Sequence, residues 1–343
     1  MNYTDQTLTS FEHTFIGVYL IVSGILATFL NLVGLVVYWR FPRLLCTPSA
    51  IPEIALLLAD LATTGLNPFS GAAALQNRWI WDDHAGCQLY AFFGFVFGDF
   101  QVLCIPFLAF DRYIITAENS ALRKYRTRKI YSKLLLLLIA YSLFWSVTPL
   151  LGWASYAKTA PGIVCTLNWM KVDVSFVSYL TAKFIASFMA SLVISMIFYR
   201  KAIRLVHKNR AREIHWCRKK SIRFVSFGCM FSTYLSFAIY ATVCMWAIIA
   251  GPQTIPRIAN ALPAVWVKLA GIFNPIFFVY YNPRLWACTK KMFGLNYDSE
   301  QMHRDKTEER IWMDSPRNTA RSIRTSHDPV DTAHVVLHPA DNE

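Results

Sequence analysis

A single lysine, Lys268, interrupts the apolar stretch PAVWVKLAGIFNP (263–275). An ammonium left charged at the centre of a bilayer costs about 3 kcal/mol on insertion scales. The surroundings can instead keep the amine neutral, and a neutral amine is a nucleophile that condenses with an aldehyde to form an imine. Lys268 is therefore the main candidate for covalent chemistry. The competing hypothesis is a structural lysine that is ion-paired or snorkels to the interface.

The elements that must position Lys268 are membrane helices. Of the 343 residues, 55% are hydrophobic and 16% charged, whereas a soluble domain carries roughly a quarter charged residues. Apolar runs long enough to cross a bilayer recur at about 14–38, 49–76, 87–110, 130–152, 174–199, 222–250 and 258–281. Stretches such as LLLLLIAYSLFW (134–145) do not alternate, which argues against transmembrane strands. We predict an all-α bundle of seven transmembrane helices, numbered spans one to seven.

Positive charge is distributed unevenly between the loops. The chain has 34 Lys and Arg against 21 Asp and Glu, and the basic residues concentrate in alternate loops, above all in 200–223 between spans five and six. The positive-inside rule predicts an extracellular N terminus and a cytoplasmic C terminus, in a multi-pass protein of the plasma membrane. Because the charge follows topology, it indicates membrane lipid rather than nucleic acid as a partner.

Two features fall on the predicted exterior side. Cys87 begins span three and Cys165 follows span four, where a disulfide can persist and would pin the loop over the extracellular mouth. Asn2 begins the glycosylation sequon Asn2-Tyr3-Thr4. The eight His residues are scattered without the spacing of metal ligands, so no metal site is predicted.

Composition divides the chain into four segments. We predict an extracellular tail (1–13), a seven-span domain (14–281), a short amphipathic helix on the membrane surface (282–294) and a disordered cytoplasmic tail (295–343). Asn282 is the expected N-cap of the amphipathic helix, because Pro283 follows it at the first helical position.

Polar residues inside the spans form a recognisable set, and such residues are functional candidates by default. They are Asn31 in span one, Asp60 in span two, Asn274 and Pro275 in span seven, and Asp111, Arg112 and Tyr113 at the end of span three. About 37 Å of helix separates Cys87 from Arg112, which puts one at each membrane face. Together these motifs resemble the signature of rhodopsin-like G-protein-coupled receptors.

Lys268 narrows this resemblance to opsins. It stands six residues before Asn274, where opsins carry the lysine that binds retinal, and GWASY (152–156) and CTLNWMKVDVSFVSY (165–179) resemble peropsins and retinochromes. The resemblance covers about 14–294. It implies 11-cis or all-trans retinal, attached to Lys268 as a Schiff base. It also implies a retinal pocket formed by Tyr90, Gly94, Phe95, Gly98, Asp99, Phe237, Tyr240 and Ala264.

A second intramembrane lysine, Lys183, lies in LTAKFIASF (180–188) of span five. Counting against the opsin pattern places it opposite Asp99 of span three. We predict a buried ion pair between Asp99 and Lys183, which compensates both charges close to the ring of the bound retinal.

A protonated imine needs a counter-charge. Opsins supply an acid three residues after the span-three cysteine or six before the loop cysteine, and this chain has Tyr90 and Thr159 at those positions. Peropsins also show the tyrosine, but they and retinochromes carry an acid at the loop position. Either Asp82, Asp83 or Asp99 substitutes, or the imine is neutral at rest and absorbs in the near ultraviolet. We expect the neutral imine.

The residues that govern signalling are mixed. Asp111, Arg112, Tyr113 and Tyr199 match the cytoplasmic coupling apparatus of the family, which implies contact with a heterotrimeric G protein. Several other positions depart from the pattern: FAIY (237–240) replaces Trp-x-Pro-Tyr in span six, Ser191 replaces the proline of span five, and Pro106 is an unexpected helix breaker in span three. Loss of the span-six proline straightens that helix and raises the barrier to its outward swing.

Three functions follow from this reasoning. One is a light-activated receptor that couples to a G protein, and another is a retinal photoisomerase, which would be an enzyme. A more distant third is a seven-helix receptor for a diffusible ligand whose carboxylate pairs with Lys268. We favour an opsin of the peropsin and retinochrome group.

Overall fold

The computed structural model describes residues 8–81, 84–117, 122, 124–159, 162–208 and 219–295. The chain divides into two units, Met1–Gly294 and Leu295–Glu343, and all of the second unit except Leu295 lies outside the described residues. The sequon at Asn2 and the candidate counter-charges Asp82 and Asp83 also lie outside them.

Six helical segments in the described part of the chain are long and apolar enough to cross a membrane. They form spans one, three, four, five, six and seven: Ser10–Arg40, His84–Thr116, Arg128–Leu151, Val174–Leu205, Phe227–Ala250 and Arg257–Tyr280. The helix of span five extends to Lys208, and that of span six begins at Lys219. Each of the six predicted runs therefore corresponds to one helical crossing.

Span two is interrupted, unlike the continuous run predicted for 49–76. It consists of the helices Ala50–Gly65 and Asn67–Leu75, joined at Leu66. Pro68 lies in the first turn of the second helix, and because proline has no N–H and its ring clashes with the preceding turn, the first helix ends before it. Leu66 keeps right-handed helical angles (φ −81°, ψ −13°). Both pieces pack against span one.

Pro106 does not break span three, contrary to the sequence-based expectation. The helix runs without interruption from His84 to Thr116. Proline removes one backbone hydrogen bond, but its neighbours Ile105 and Phe107 are buried in the bundle. Tertiary packing supplies most of the stability of a helix in a folded protein, and it holds this one together.

Spans five and seven contain short irregular turns. In span five a π-helical turn, Phe184–Met189, joins the helices Val174–Lys183 and Ala190–Lys208. Span seven consists in order of the helix Arg257–Trp266, a 3-10 turn Val267–Leu269, the helix Ala270–Pro275 and a π-helical turn Ile276–Tyr280. Span six contains no proline and is one continuous helix, Lys219–Ala250.

A β-hairpin that the sequence did not predict follows span four. Strand β1 (Tyr156–Lys158) pairs antiparallel with β2 (Cys165–Leu167), with Ala157 opposite Thr166. The Cys87–Cys165 disulfide ties β2 to span three and confirms the predicted bridge. The hairpin is thereby fixed across one end of the bundle, which is called the disulfide end below.

The bundle buries polar side chains among its apolar core and exposes large apolar side chains on its surface. Asn31, Asp60 and Asn274 are fully buried, whereas Phe11 and Ile249 are each 78% exposed. Such a surface is unfavourable in water and matches the hydrocarbon core of a membrane.

A short helix, Pro283–Met292, follows span seven and lies within the predicted range 282–294. Asn282 stands at its N-cap position, but its side chain makes no capping hydrogen bond. Leu285 faces the bundle and is buried, whereas Lys291 is exposed. The helix is therefore amphipathic, and its place on a membrane surface stays a prediction.

Candidate functional site

A cavity lies inside the bundle beneath the hairpin. It comprises about 1110 Å³ of space not filled by atoms, open solvent included, between the hairpin and spans two, three, five, six and seven. Its walls are mostly apolar and aromatic with a few polar groups, as is usual for small-molecule sites. Its charged lining residues, among those described, are Asp99, Lys183 and Lys268.

Lys268 reaches this cavity from the 3-10 turn Val267–Leu269 and is 7% exposed. Its Nζ donates to the backbone carbonyl of Thr63 over 3.2 Å. Thr63 lies in the last turn of the helix Ala50–Gly65, where carbonyls have no regular donor four residues on, so this oxygen is available to Lys268. No carboxylate among the described residues pairs with Lys268. The amine is thus buried beside a neutral acceptor.

Lys183 lies on another wall of the same cavity and has a different environment. Its Nζ lies 2.8 Å from Asp99 Oδ2, and both side chains are largely buried. It also donates to the Tyr179 hydroxyl oxygen over 3.3 Å and sits 4.2 Å from the centre of the Phe95 ring. The structure therefore brings together the two residues that the sequence paired.

Most of the predicted pocket residues line this cavity. They are Tyr90, Gly94, Phe95, Gly98, Asp99, Phe237 and Tyr240, whereas the side chain of Ala264 is not among those described. A Cβ at Gly98 would stand 3.4 Å from the Phe237 ring, which is van der Waals contact between spans three and six. Sequence reasoning missed Thr63, Val102, Trp169, Leu180, Phe184, Phe188 and Pro263, which also line the cavity.

Tyr90 and Thr159, at the two positions where opsins carry a counter-charge, are uncharged, and both hydroxyls form hydrogen bonds elsewhere. The Tyr90 hydroxyl bonds the Ser70 hydroxyl of span two. The Thr159 hydroxyl donates to the Val164 carbonyl over 3.2 Å, and Thr159 is not among the lining residues. Neither residue brings a negative charge to Lys268.

The hairpin and the segment after it cover the cavity. Cys165, Thr166, Leu167 and Trp169 all line it. Thr166 and Tyr240 share a hydrogen bond of 3.0 Å, and the Trp169 indole donates to Asn260 over 3.0 Å. Behind them, burial and, to a smaller extent, the Asp99 carboxylate raise the pKa of Tyr156, whose hydroxyl donates to the Ser146 carbonyl. The cover is thus held to spans four, six and seven as well as to span three.

The predicted intramembrane polar network lies farther from the hairpin. Asn274 Nδ2 donates to Asp60 over 3.2 Å, and the Gln101 side chain, which the sequence reasoning missed, also donates to Asp60. Asn31 joins this network indirectly, since it donates to the Gly271 carbonyl of span seven over 2.8 Å. Pro275 follows Asn274 inside the helix Ala270–Pro275.

At the end of the bundle opposite the disulfide, Arg112 forms a buried ion pair with Glu53 of span two. Glu53 also accepts a hydrogen bond from Tyr38 of span one. Sequence reasoning did not single out Glu53, although an acid near the start of an apolar span was a usable signal. This end of the bundle is called the Arg112 end below.

The neighbours of Arg112 are tied to other spans. The Asp111 carboxylate accepts from Ser49 and Tyr131, each at 2.8 Å. The Tyr113 ring stacks on Phe198 of span five with 5.6 Å between ring centres. Tyr199, the residue after Phe198, is buried. The four residues predicted for coupling thus occur at one end of spans three and five.

Known proteins provide an independent comparison. The family described as "7 transmembrane receptor (rhodopsin family)" matches residues 30–278. Visual pigment-like receptor peropsin of Mus musculus is 29% identical over 289 residues, which cover 82% of this chain and 85% of that protein. "Rhodopsin, G0-coupled" of Mizuhopecten yessoensis is 28% identical over 297 residues, which cover 82% and 73% respectively.

A solved structure has the same fold. The crystal structure of squid rhodopsin matches with a TM-score of 0.76 at 19% identity, over 88% of this chain and 92% of that one. The predicted all-α, rhodopsin-like bundle is therefore confirmed, and the protein is an integral multi-pass membrane protein. The chain belongs to the rhodopsin family of seven-transmembrane receptors.

Proposed function

We propose that this protein is a light-sensitive opsin that binds retinal as an imine on Lys268. One observation carries the proposal: the Lys268 amine faces a largely apolar cavity and hydrogen-bonds a neutral carbonyl, not a carboxylate. The similarity to peropsin and to a rhodopsin supports it, because both names belong to opsins.

The residues of the cavity have distinct tasks in this proposal. Lys268 would hold retinal through an imine between its nitrogen and the aldehyde carbon, with the aldehyde oxygen released as water. The Thr63 carbonyl holds the amine in position before the attack, and the apolar walls exclude bulk water that would hydrolyse the linkage. Bound retinal would supply the absorption of light and a double bond that isomerises.

The linkage is proposed to be a neutral imine in the dark. Tyr90 and Thr159 are uncharged, and the one acid among the described lining residues, Asp99, is already paired with Lys183. A proton on the imine would therefore have no carboxylate partner in the described part of the cavity, and an unpaired buried charge is costly. The resting protein is then expected to absorb in the near ultraviolet.

The Arg112 end is proposed to face the cytoplasm, because the basic loops flank it. G-protein coupling would then use Asp111, Arg112, Tyr113 and Tyr199 with the basic segment 200–223 between spans five and six. Two observations favour photoisomerisation as a second candidate function: Arg112 is tied to Glu53, and span six is a continuous helix without the proline on which an outward swing depends. A retinal photoisomerase would bind one isomer and release the other without moving span six.

The test uses the purified full-length protein in detergent with 11-cis and with all-trans retinal, and Lys268→Ala as the control. Borohydride trapping of the imine reports binding, and absorption spectra before and after illumination, followed by extraction of the retinal isomers, report photoisomerisation. Nucleotide exchange on an added G protein, in darkness and in light, separates a signalling receptor from an isomerase. No retinal trapped on the native protein by borohydride, with either isomer, would contradict the proposed function and leave the receptor for a diffusible ligand.

A further inference from the structure

Two lysines line one cavity, and an aldehyde can condense with either. Condensation needs a nitrogen lone pair, so a protonated lysine is unreactive while a neutral one attacks. The residues around each amine therefore decide which lysine is used. This inference rests on the proposed function and concerns the choice between Lys183 and Lys268.

The contacts of Lys183 all favour an ammonium. The Asp99 carboxylate at 2.8 Å carries the opposite charge, and the face of the Phe95 ring at 4.2 Å attracts a cation. The Tyr179 hydroxyl donates its own hydrogen to the Trp145 carbonyl over 2.7 Å, which leaves its oxygen to accept from Lys183 over 3.3 Å. Of these three partners, Asp99 alone carries a charge.

The surroundings of Lys268 favour a neutral amine instead. It is buried, and its hydrogen bond goes to the Thr63 carbonyl, which a neutral amine can also satisfy. Burial without an opposite charge favours the uncharged form. The two amines thus differ in one main respect, the carboxylate beside Lys183.

We propose that Asp99 determines the site of retinal attachment: by holding Lys183 as an ammonium, it directs the aldehyde to Lys268. Without the carboxylate, Lys183 gives up its proton and its lone pair attacks the aldehyde carbon. A C=N bond then forms at Lys183 and the oxygen leaves as water, with no oxidation or reduction. Asp99 acts through Lys183 and is a specificity-determining residue.

The test maps the attachment site. The full-length protein is incubated with all-trans or 11-cis retinal in the dark, the C=N bond is reduced with borohydride, and the labelled lysine is found by peptide mass spectrometry. In the native sequence we expect label at Lys268 and at most a trace at Lys183. Asp99→Asn should increase label at Lys183 by roughly tenfold or more, and Asp99→Asn with Lys268→Ala should carry label at Lys183 alone. Asp99→Glu keeps the charge and should restore the native pattern.

A second arm keeps Asp99 and so does not depend on the folding of its variants. Lys268→Ala is labelled at rising pH, and the titratable groups that face Lys183 are Asp99 of span three, Tyr179 of its own helix and Cys244 of span six. Label at Lys183 should be absent at neutral pH and appear as alkali removes the ammonium proton. Adding Lys183→Met should abolish that label.

The outcomes distinguish this inference from the proposed function. Label at Lys268 in the native sequence, with none at Lys183 in folded Asp99→Asn or in alkaline Lys268→Ala, overturns the role of Asp99 and leaves the proposed function intact. Native label divided between both lysines also overturns it. Native protein without any label contradicts the proposed function itself.

Discussion

The Lys183 ammonium lies 2.8 Å from the Asp99 carboxylate, and this ion pair joins spans three and five on the wall of the central cavity. Both residues sit in apolar helices, so each charge is compensated by the other. A buried pair of this kind stabilises little relative to an apolar pair of similar volume, but losing one partner leaves an uncompensated charge.

The Asp99–Lys183 ion pair can be tested by measuring the stability of variants. Lys183→Met should lower the free energy of unfolding by about 3–5 kcal/mol, because Asp99 is left buried without its partner. Asp99→Leu with Lys183→Met should largely recover it. Thermal unfolding of the purified protein measures both, and Lys171→Met, which removes an exposed ion pair with Asp173, is the matched control. Equal melting temperatures for all four proteins would contradict a buried pair.

The charge state of the linkage is tested by absorption. With no free acid among the described lining residues, the pigment should absorb in the near ultraviolet at neutral pH and shift to the visible when acid protonates the imine. The spectrum of the retinal-loaded protein across pH measures this. A visible maximum that barely responds to alkali would instead require a carboxylate partner, and Asp82, Asp83 and Asp99 would then be replaced one at a time.

The Arg112–Glu53 ion pair gives a test of signalling. Glu53→Gln keeps the shape of the side chain but removes the charge, and a charge-assisted hydrogen bond is worth about 1.5–3 kcal/mol. If Arg112 must leave span two to meet a G protein, basal nucleotide exchange should rise by roughly tenfold or more. Tyr38→Phe is the control, because it removes a hydrogen bond to Glu53 and leaves the ion pair. Unchanged exchange in a folded variant would show that this pair does not restrain coupling.

Removal of the Cys87–Cys165 disulfide tests whether it keeps the β-hairpin closed over the cavity. Cys87→Ser with Cys165→Ser should lower stability by about 2–4 kcal/mol and speed the reaction of the linkage with hydroxylamine, since β2 is no longer tied to span three. Cys46→Ser, which changes an exposed free cysteine, should behave like the native protein. Equal hydroxylamine rates in all three would mean that the other contacts of the hairpin suffice to close the cavity.

The parts of the fold that follow from burial were accessible from the sequence. A lysine in an apolar run has few physical explanations, so Lys268 and Lys183 were identified by their cost in a membrane. Asp99 was paired with Lys183 by counting against the opsin pattern. Hydropathy predicted the spans for the same reason, because polar residues are costly inside a membrane. The interruption at Leu66 was missed, because the run continues through it and only Pro68 signals the break.

The partners of these residues were harder to predict. The Thr63 carbonyl has no side-chain signature, so its contact with Lys268 depends on where one helix ends. The three-residue strands of the hairpin are too short for a periodic pattern and are held by the disulfide and the bundle. Glu53 shows the opposite case, since its charge was visible in the sequence and only its contact with Arg112 needed the structure.

The central claim is the covalent bond between Lys268 and retinal, and reductive trapping followed by intact-mass measurement tests it most directly. The native protein, incubated with retinal and treated with borohydride at neutral pH, should gain the mass of one retinyl group, and Lys268→Ala should gain none. No added mass on the native protein, or an equal gain in folded Lys268→Ala, would contradict the account.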